Sequence, residues 1–407
     1  MLKSSQGAPQ APFPRIFTDT NRLVVFATAN SFALGARTAG LATLAALTAP
    51  TPLVVGLISA AGFLPWLVIG LWAGYLVDRT SKAKLMMSGS LLAVVCCVLG
   101  FLAFALGNPS WVVVLLLSLA FGSINVPVDT SVNSFLPQLV TDDQIGRVNG
   151  RMSAFQSSVS VIAPAIAGIL LGFSDEALFI LLMTLFGGMA LLCVGFTNKG
   201  SGAIAGSASE QKRLLGMRAL WRDRGLAALA TSVSLMNVYS GIIGAMLPLY
   251  ILSGANGTVE TVGLIFALQS IGLFVGVWCA SLLINRYARA PRLLLITAAA
   301  CKIPVFLLLL STENVAVISI AAVINGLSAG LWNAPSSTAL IRGSAGANQS
   351  HVIASYKMLA SVGAPLGALI GGIVSTSLGM MSAFLVGLVL AGIVFVTVVL
   401  RQAHFKI

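Results

Sequence analysis

Charged and amide side chains inside long apolar runs are the residues of this sequence with the clearest chemical potential. The chain has 407 residues, of which 57% are hydrophobic and only 8% are charged. Soluble domains carry about 25% charged residues, so this composition indicates a protein that crosses a membrane many times. A charged group at membrane depth is costly and marks a candidate functional site. Three such groups stand out, namely Arg37, Asp129 and Lys302.

Arg37 lies near the centre of the first apolar run, and Asn30 precedes it by seven residues. This spacing places both side chains on one face of a helix. Leu44, the next position at the same spacing, is apolar, so the polar stripe ends there. The stripe predicts a cation that faces a cavity and meets an anionic or hydrogen-bonding group of a ligand. The alternative is a structural pair of Arg37 with a carboxylate or with backbone carbonyls.

A second polar stripe lies on the fourth apolar run. Ser118, Gly122, Asn125 and Asp129 follow the spacing i, i+4, i+7 and i+11, which keeps them on one helical face. Asp129 is the only carboxylate inside a run, and it serves either as the partner of a cationic loop or as a proton carrier. Lys302, in the ninth run, faces a cavity, reaches a polar neighbour, or extends its long stem toward the membrane surface.

The elements that carry these residues are twelve apolar runs, each close to the roughly 20 residues that a spanning helix needs. They lie near residues 23–47, 52–77, 85–106, 111–136, 148–173, 177–196, 225–252, 261–284, 293–311, 314–340, 352–375 and 379–400. An even number places both termini on one side, and the cationic loops fall on that side. The only charged residues in the opposite loops are Asp175, Glu176, Glu260 and Glu313. Because positive loops stay in the cytoplasm, the sequence predicts an all-α membrane protein with cytoplasmic termini.

The most densely charged loop connects the second and third runs and reads Gly-Tyr-Leu-Val-Asp-Arg-Thr-Ser-Lys-Ala-Lys from Gly74 onward. It resembles the loop between the second and third helices of the major facilitator superfamily, whose pattern is Gly-x-Leu-x-Asp-Arg-x-Gly-Arg-Lys. Gly74, Asp78 and Arg79 fit that pattern, Lys82 keeps a family cation, and Ser81 replaces a glycine.

The two halves of the chain repeat each other, which extends the resemblance. Asn285 stands in the second half where Asp78 stands in the first, and an Ala-Pro pair recurs at 163–164 and 364–365. The resemblance implies twelve transmembrane helices in two pseudo-symmetric six-helix halves. The implied organisation is a cytoplasmic tail at 1–22, an N-terminal half at 23–196, a central cytoplasmic loop with an amphipathic helix at 197–224, a C-terminal half at 225–400 and a cytoplasmic tail at 401–407.

The resemblance also implies a latch on the cytoplasmic side. Asp78 is expected to cap the N-terminus of the eleventh helix, where unpaired N–H groups and the positive helix end stabilise a carboxylate. Asp129 is expected to pair with the cations of the same loop. The implied latch residues are Gly74, Asp78, Arg79, Lys82 and Asp129.

The fifth and eleventh helices carry matching proline and glycine residues, namely Pro164, Gly168, Pro365 and Gly367. A proline frees a backbone carbonyl, and a glycine permits close contact between helices. These residues are therefore expected to let the two helices bend and pack tightly while the halves rock. Simple tight packing is the alternative.

The stretch from Phe135 to Gly168 is similar to a branch of bacterial exporters that includes the enterobactin exporter and macrolide efflux pumps. It shares a Pro-x-Leu-Val segment and an Asn at the start of the fifth helix, although Ala163 replaces a glycine before Pro164. The resemblance implies proton-coupled export of a small amphipathic molecule, either a siderophore or a hydrophobic drug such as a macrolide, across the bacterial cytoplasmic membrane. The implied substrate cavity contains Asn30, Arg37, Asn125, Asn237, Asn325 and Trp332.

The expected partners are a small-molecule substrate and the lipid bilayer, without nucleic acid, and the chain is expected to act as a monomer without a cofactor. Proton coupling rests on the resemblance alone, because no acid lies deeper in the cavity than Asp129. A lipid transporter or flippase, an importer and a non-transporting membrane sensor are the alternatives. An enzyme is not expected, since the sequence lacks a His/Cys metal cluster and a Ser-His-Asp pattern. The lack of a phosphate-binding Gly-x-x-x-x-Gly-Lys-Ser/Thr loop argues against direct drive by ATP.

Overall fold

The computed structural model describes residues 18–69, 76–77, 79–107, 109–197, 217–287, 290–344 and 349–401. All regular secondary structure within these ranges is helical. The helices are α1 (Asp19–Thr48), α2 (Pro52–Ala61), α3 (Leu64–Val68), α4 (Lys82–Ala105), α5 (Trp111–Leu139), α6 (Asp142–Phe173), α7 (Ala177–Val194), α8 (Arg224–Ser253), α9 (Val259–Arg286), α10 (Ala290–Ser311), α11 (Val315–Gly343), α12 (Gln349–Leu378) and α13 (Met380–Arg401). Residues 217–222 form a further short helix within the predicted central loop.

Ten of the described helices, α4 to α13, are long and apolar enough to cross a membrane. Helix α1 has sufficient length, at 30 residues, but Asn30, Arg37 and its other polar residues lower its mean hydropathy. Helices α2 and α3 together occupy the place of the second predicted run. Every predicted run therefore corresponds to described helix, and the predicted all-α membrane fold is confirmed.

The second predicted run is interrupted, because α2 ends at Ala61 and α3 begins at Leu64. Pro65 explains the break, since it lacks an N–H and its ring would clash with the carbonyl of Ala61 in a continuous helix. Gly122 of α5 lies directly against the backbone of Gly62 at this point. The apolar pattern predicted the span but gave no indication of its break.

The helices pack as two bundles, one formed by α1 to α7 and the other by α8 to α13. Aromatic pairs fill both interiors. Phe121 stacks on Phe186 in the first bundle with ring centroids 6.0 Å apart, and Tyr239 meets Phe306 edge-on in the second at 5.8 Å. Each of these ring pairs lies within one bundle, and the two bundles correspond to the two halves that the internal repeat implies.

The two halves approach each other on what we call the distal side, the side of the turns at 49–51, 174–176 and 254–258. Gly168, near the distal end of α6, lies against Gly263, near the distal end of α9. A Cβ atom on either glycine would overlap the backbone of the other. The close approach of these two helices therefore depends on the absence of a side chain at both positions.

A second contact between the halves joins α2 to α12, again on the distal side. The backbones of Gly56 and Gly372 lie so close that an added Cβ atom would be crowded. The backbone N–H of Leu53 donates a hydrogen bond to the Thr376 hydroxyl at 2.9 Å. Small residues and one hydrogen bond thus close the distal side at two places.

The opposite side, which we call the terminal side because residues 18 and 401, the first and last that the structure describes, lie there, is less closely packed around α6. Between residues 144 and 158 of this helix, only Met152 is buried. Added Cβ atoms at Gly146 and Gly150 would meet nothing within 4 Å. Helix α6 is therefore held by the other half near its distal end. Its terminal end is largely exposed and hydrogen-bonds to α1 of its own half through Arg151 and Gln156.

Candidate functional site

Three polar residues predicted to line a cavity do lie around one cavity, inside the N-terminal half. Asn30 and Arg37 of α1 and Asn125 of α5 are each buried and border one narrow space. Helices α4 and α7 complete the wall with Ser90 and Phe186, among others. The seven-residue spacing of the α1 pair brings both to the same cavity, as the helical periodicity predicts.

Arg37 makes no hydrogen bond and no ion pair within the part of the chain that the structure describes. Its guanidinium carbon lies 5.4 Å from the centroid of the Phe121 ring. The Phe121 ring is itself stacked against Phe186 at an interplanar angle of 19°. The cation therefore rests on an aromatic floor, in the geometry of a cation–π contact, with its hydrogen-bonding capacity unused.

A second buried cation occupies the C-terminal half. Lys302 of α10 is 3% exposed, and its ammonium donates to the backbone carbonyl of Asn325 at 3.0 Å and to the side-chain oxygen of the same residue. The Asn325 amide in turn donates to Gln269 of α9 at 3.2 Å. The ammonium also lies 5.6 Å from the centroid of the Tyr239 ring. Of the three alternatives for Lys302, the structure shows the polar neighbour.

The two remaining cavity predictions, Asn237 and Trp332, lie elsewhere in the C-terminal half. Asn237 of α8 donates its amide to the carbonyl of Ala360 on α12 at 3.0 Å. Trp332 is 4% exposed, and its indole N–H has no partner among the described residues. Asn237 thus joins two helices, whereas a role of either residue in substrate contact stays a prediction.

The predicted latch is described only in part, since Gly74 and Asp78 lie outside the described residues. Arg79 is exposed, whereas Lys82 is buried and donates to the carbonyl of Val77 at 2.6 Å. Asp129 is half-buried and accepts a hydrogen bond from Asn133 at 3.3 Å. The cation that acts on Asp129 is Lys357 of α12, in the other half. The pairing of Asp129 with the loop cations stays a prediction.

The four residues proposed for rocking have different surroundings. Gly168 lies at the contact between the halves, whereas Gly367 lies against the backbone of Val238 within the C-terminal half. Pro164 and Pro365 are contained inside α6 and α12. Gly168 is therefore placed where motion of one half against the other would change its contacts.

Phe121 is one of the cavity residues that sequence reasoning missed, although it lies four residues before Asn125 on the same helical face. The link between Lys302 and Asn325 was also missed. These two residues are 23 positions apart, and an apolar pattern carries no information on the register of neighbouring helices. No group of three or more His, Cys, Asp or Glu side chains suited to a metal ion occurs within the described ranges.

This architecture is that of a polytopic membrane protein built from two helical halves that contact each other on one side. The family model of the Major Facilitator Superfamily matches residues 23–341 and 238–405. The chain belongs to this superfamily, whose members are secondary transporters rather than enzymes.

Curated relatives are more distant. Macrolide efflux protein A of Streptococcus pyogenes is 28% identical over 254 residues, which cover 61% of this chain and 61% of that protein. Macrolide efflux protein A of Enterococcus faecalis is 28% identical over 248 residues, which cover 59% of this chain and 75% of that protein. The match thus spans less than two thirds of the streptococcal relative.

Solved structures share the fold over nearly the whole chain. The nucleoside transporter NupG superposes with a TM-score of 0.73 at 14% identity, covering 95% of this chain and 99% of that one. A bacterial homologue of the human lysosomal transporter Spinster, in an inward-facing and unoccupied conformation, gives a TM-score of 0.72 at 13% identity, covering 96% and 98%. At these identities the likeness shows the fold alone.

Proposed function

We propose that this transporter exports a small amphipathic molecule from the bacterial cytoplasm by alternating access, in exchange for protons. In this proposal the terminal side is cytoplasmic, as the placement of the loop cations supports. The substrate is a hydrophobic drug such as a macrolide or a siderophore.

The observation that carries the proposal is the position of the contacts between the halves. Gly168 and Gly263 close the distal side, while the terminal end of α6 is largely exposed. A distal side closed by contacts between the halves supports one of the two states that alternating access requires. The opposite state requires the distal glycine contacts to separate.

Export and substrate class are supported by different observations. The distant relation to macrolide efflux protein A supports export of a hydrophobic drug. The sequence between Phe135 and Gly168, similar to a branch that contains the enterobactin exporter, supports a siderophore equally well. A buried polar cluster with an aromatic floor, around Arg37 and Phe121, suits a ligand with both apolar and polar parts.

The latch belongs to the second state in this proposal. When the terminal side closes, Asp78 caps α12 and Asp129 pairs with Arg79 or Lys82. In the present state Asp129 is hydrogen-bonded to Asn133 instead. Separation of Asp129 from the loop cations agrees with a terminal side that is open.

Transport by purified protein in liposomes with an imposed pH gradient tests the proposal. Radiolabelled erythromycin and a catecholate siderophore serve as the two substrates, and a protonophore serves to collapse the gradient. We expect gradient-driven accumulation of one of them. Gly168→Leu should abolish it because the added side chain cannot fit against Gly263, whereas Gly188→Leu, at a position with nothing within 4 Å, should not.

Accumulation that ignores the gradient would contradict proton antiport and favour a facilitator. Movement of labelled lipid in liposomes free of other substrate would favour a lipid transporter. Absence of any transport by a correctly folded protein would contradict the proposal as a whole.

A further inference from the structure

The cavity in the N-terminal half holds three polar side chains that the protein itself leaves without partners. Asn30, Arg37 and Asn125 are 6%, 7% and 8% exposed, and none of them makes a side-chain hydrogen bond within the described ranges. Their polar atoms are not among the fully enclosed unpaired atoms, since they border the empty space of the cavity. Three unused polar groups from two helices therefore face one volume.

A buried cation without a counter-charge is an expensive feature. Taking a charged group out of water costs several kcal/mol unless it is paired and hydrogen-bonded. The Phe121 ring offsets only a part of this, since a desolvated cation–π contact contributes about 2 kcal/mol. An anion in the cavity would supply the missing charge and would accept the unused hydrogen bonds.

The donors around the cavity fit one small anionic group. A guanidinium presents a planar fork that matches the two oxygens of a carboxylate. The side-chain amides of Asn30 and Asn125 offer further N–H donors. On the remaining sides the wall is apolar and aromatic, with Phe121, Phe186 and others.

The size and charge of the cavity limit what can occupy it. Drug-sized ligands occupy pockets of about 300 to 1,000 Å³, whereas the space enclosed by these side chains is narrow. It therefore admits at most one small group of a larger substrate and not a whole macrolide. The amino sugar of a macrolide such as erythromycin is cationic at neutral pH, and Arg37 would repel it.

We propose that this cavity is an anion site within the N-terminal half, in which Arg37, Asn30 and Asn125 bind a carboxylate or phenolate of the transported molecule. This assignment rests on the proposed transport function and selects, between its two substrate classes, the anionic one. The same donors would also bind a free inorganic anion, so the test separates these two sources.

Binding to the full chain in lipid nanodiscs tests the site without requiring transport. The probes are 2,3-dihydroxybenzoate and benzoate, with benzamide as the neutral analogue of the same shape and sodium chloride as the inorganic anion, in a low-salt zwitterionic buffer free of sulfate and of other carboxylates. Isothermal titration gives the affinity, and the thermal unfolding midpoint gives an independent readout. We expect both carboxylates to bind and to raise the midpoint, and benzamide to do neither.

Variants assign the binding to the cavity. Arg37→Met should weaken carboxylate binding by at least about tenfold, because a hydrogen bond to a charged group contributes about 1.5 to 3 kcal/mol. Arg37→Lys keeps the charge but loses the planar fork of N–H donors, and its affinity for the carboxylate should lie between those of the unmodified protein and of Arg37→Met. Lys302→Met removes the other buried cation and should leave the affinity unchanged.

Equal affinity for benzoate and benzamide, or an unchanged affinity in Arg37→Met, would overturn the site. If Arg37→Met does not fold, Asn125→Leu decides in the same titration, and an unchanged affinity there would also overturn it. Binding of chloride alone, lost in Arg37→Met, would overturn the substrate assignment and identify the occupant as an inorganic ion.

The site and the proposed export fail separately. Carboxylate binding without proton-driven transport would contradict export while leaving the anion site in place. Proton-driven transport of erythromycin by a protein that binds no anion would contradict the site while leaving export in place.

Discussion

Each half of the molecule buries one cation against an aromatic ring, yet the two cations are treated differently. Arg37 lies 5.4 Å from the Phe121 ring and Lys302 lies 5.6 Å from the Tyr239 ring. The ammonium of Lys302 is hydrogen-bonded by Asn325 at two atoms, whereas Arg37 has no hydrogen-bond partner among the described residues.

The difference indicates that the halves divide two tasks. In the C-terminal half, the chain from Lys302 through Asn325 to Gln269 satisfies a buried charge internally and ties three helices together. In the N-terminal half, the hydrogen-bonding groups of Arg37, Asn30 and Asn125 face the cavity. One cluster therefore stabilises the fold, and the other remains available to a ligand.

The largest effect on stability is expected at Asn325, beside Lys302, and its counterpart beside Arg37 is Asn125. Asn325→Leu removes the side-chain acceptor of a buried ammonium and should lower the free energy of unfolding by about 2 to 3 kcal/mol. Asn125→Leu, in the other half, removes no hydrogen bond and should change it by less than about 1 kcal/mol. Unfolding in mixed micelles titrated with dodecyl sulfate measures both, and equal losses would break the comparison.

The charged loop provides a test by exchange between the halves. Asp78→Asn gives the first loop the residue that Asn285 provides in the second. Transport should fall by about tenfold, since a carboxylate at a helix N-terminus contributes up to about 2 kcal/mol. Surface expression should stay near normal, and Asn285→Asp should have little effect. Full transport by Asp78→Asn in proteoliposomes would remove the latch.

Removal of the Lys302 cation should lower stability, whereas removal of the Arg37 cation should not. Lys302→Met leaves the Asn325 oxygen unpaired and should cost about 1 to 2 kcal/mol. Arg37→Met removes an unpaired buried charge and should leave stability unchanged or raise it. Thermal unfolding in detergent, without added anion, compares the two variants, and a larger loss for Arg37→Met would show that its charge is satisfied in the fold.

The smallest effect is expected where the halves agree. Ser118 donates to the carbonyl of Ile58 at 2.8 Å, and Ser328 donates to the carbonyl of Ala298 at 2.7 Å. Each hydrogen bond joins two helices inside one half. Ser118→Ala and Ser328→Ala should each cost about 0.6 kcal/mol, the mean for such bonds in membranes. A clearly larger loss in one half would reveal an asymmetry that the contacts do not show.

The helices of this fold could be predicted from the sequence because apolar length is a local property. The break at Pro65 could not be predicted from hydropathy, although the proline itself was a signal for it. Asn30 and Arg37 share a cavity because helical periodicity fixes their common face. Asn325 was predicted to line the substrate cavity, but its hydrogen bond to Lys302 could not be predicted. The two residues lie on different helices, and contacts between helices depend on a register that no single run encodes.

The central claim is that the distal glycine contacts between the halves separate as the terminal side closes, and distances between spin labels test it most directly. One pair of labels at Gly150 and Arg286 spans the terminal side, and another at Phe173 and Ser253 spans the distal side, all at exposed positions. The five native cysteines are replaced beforehand. On addition of substrate and a change of pH, we expect the terminal distance to shorten while the distal distance lengthens. Two distances that stay fixed, or that change in the same sense, would contradict alternating access.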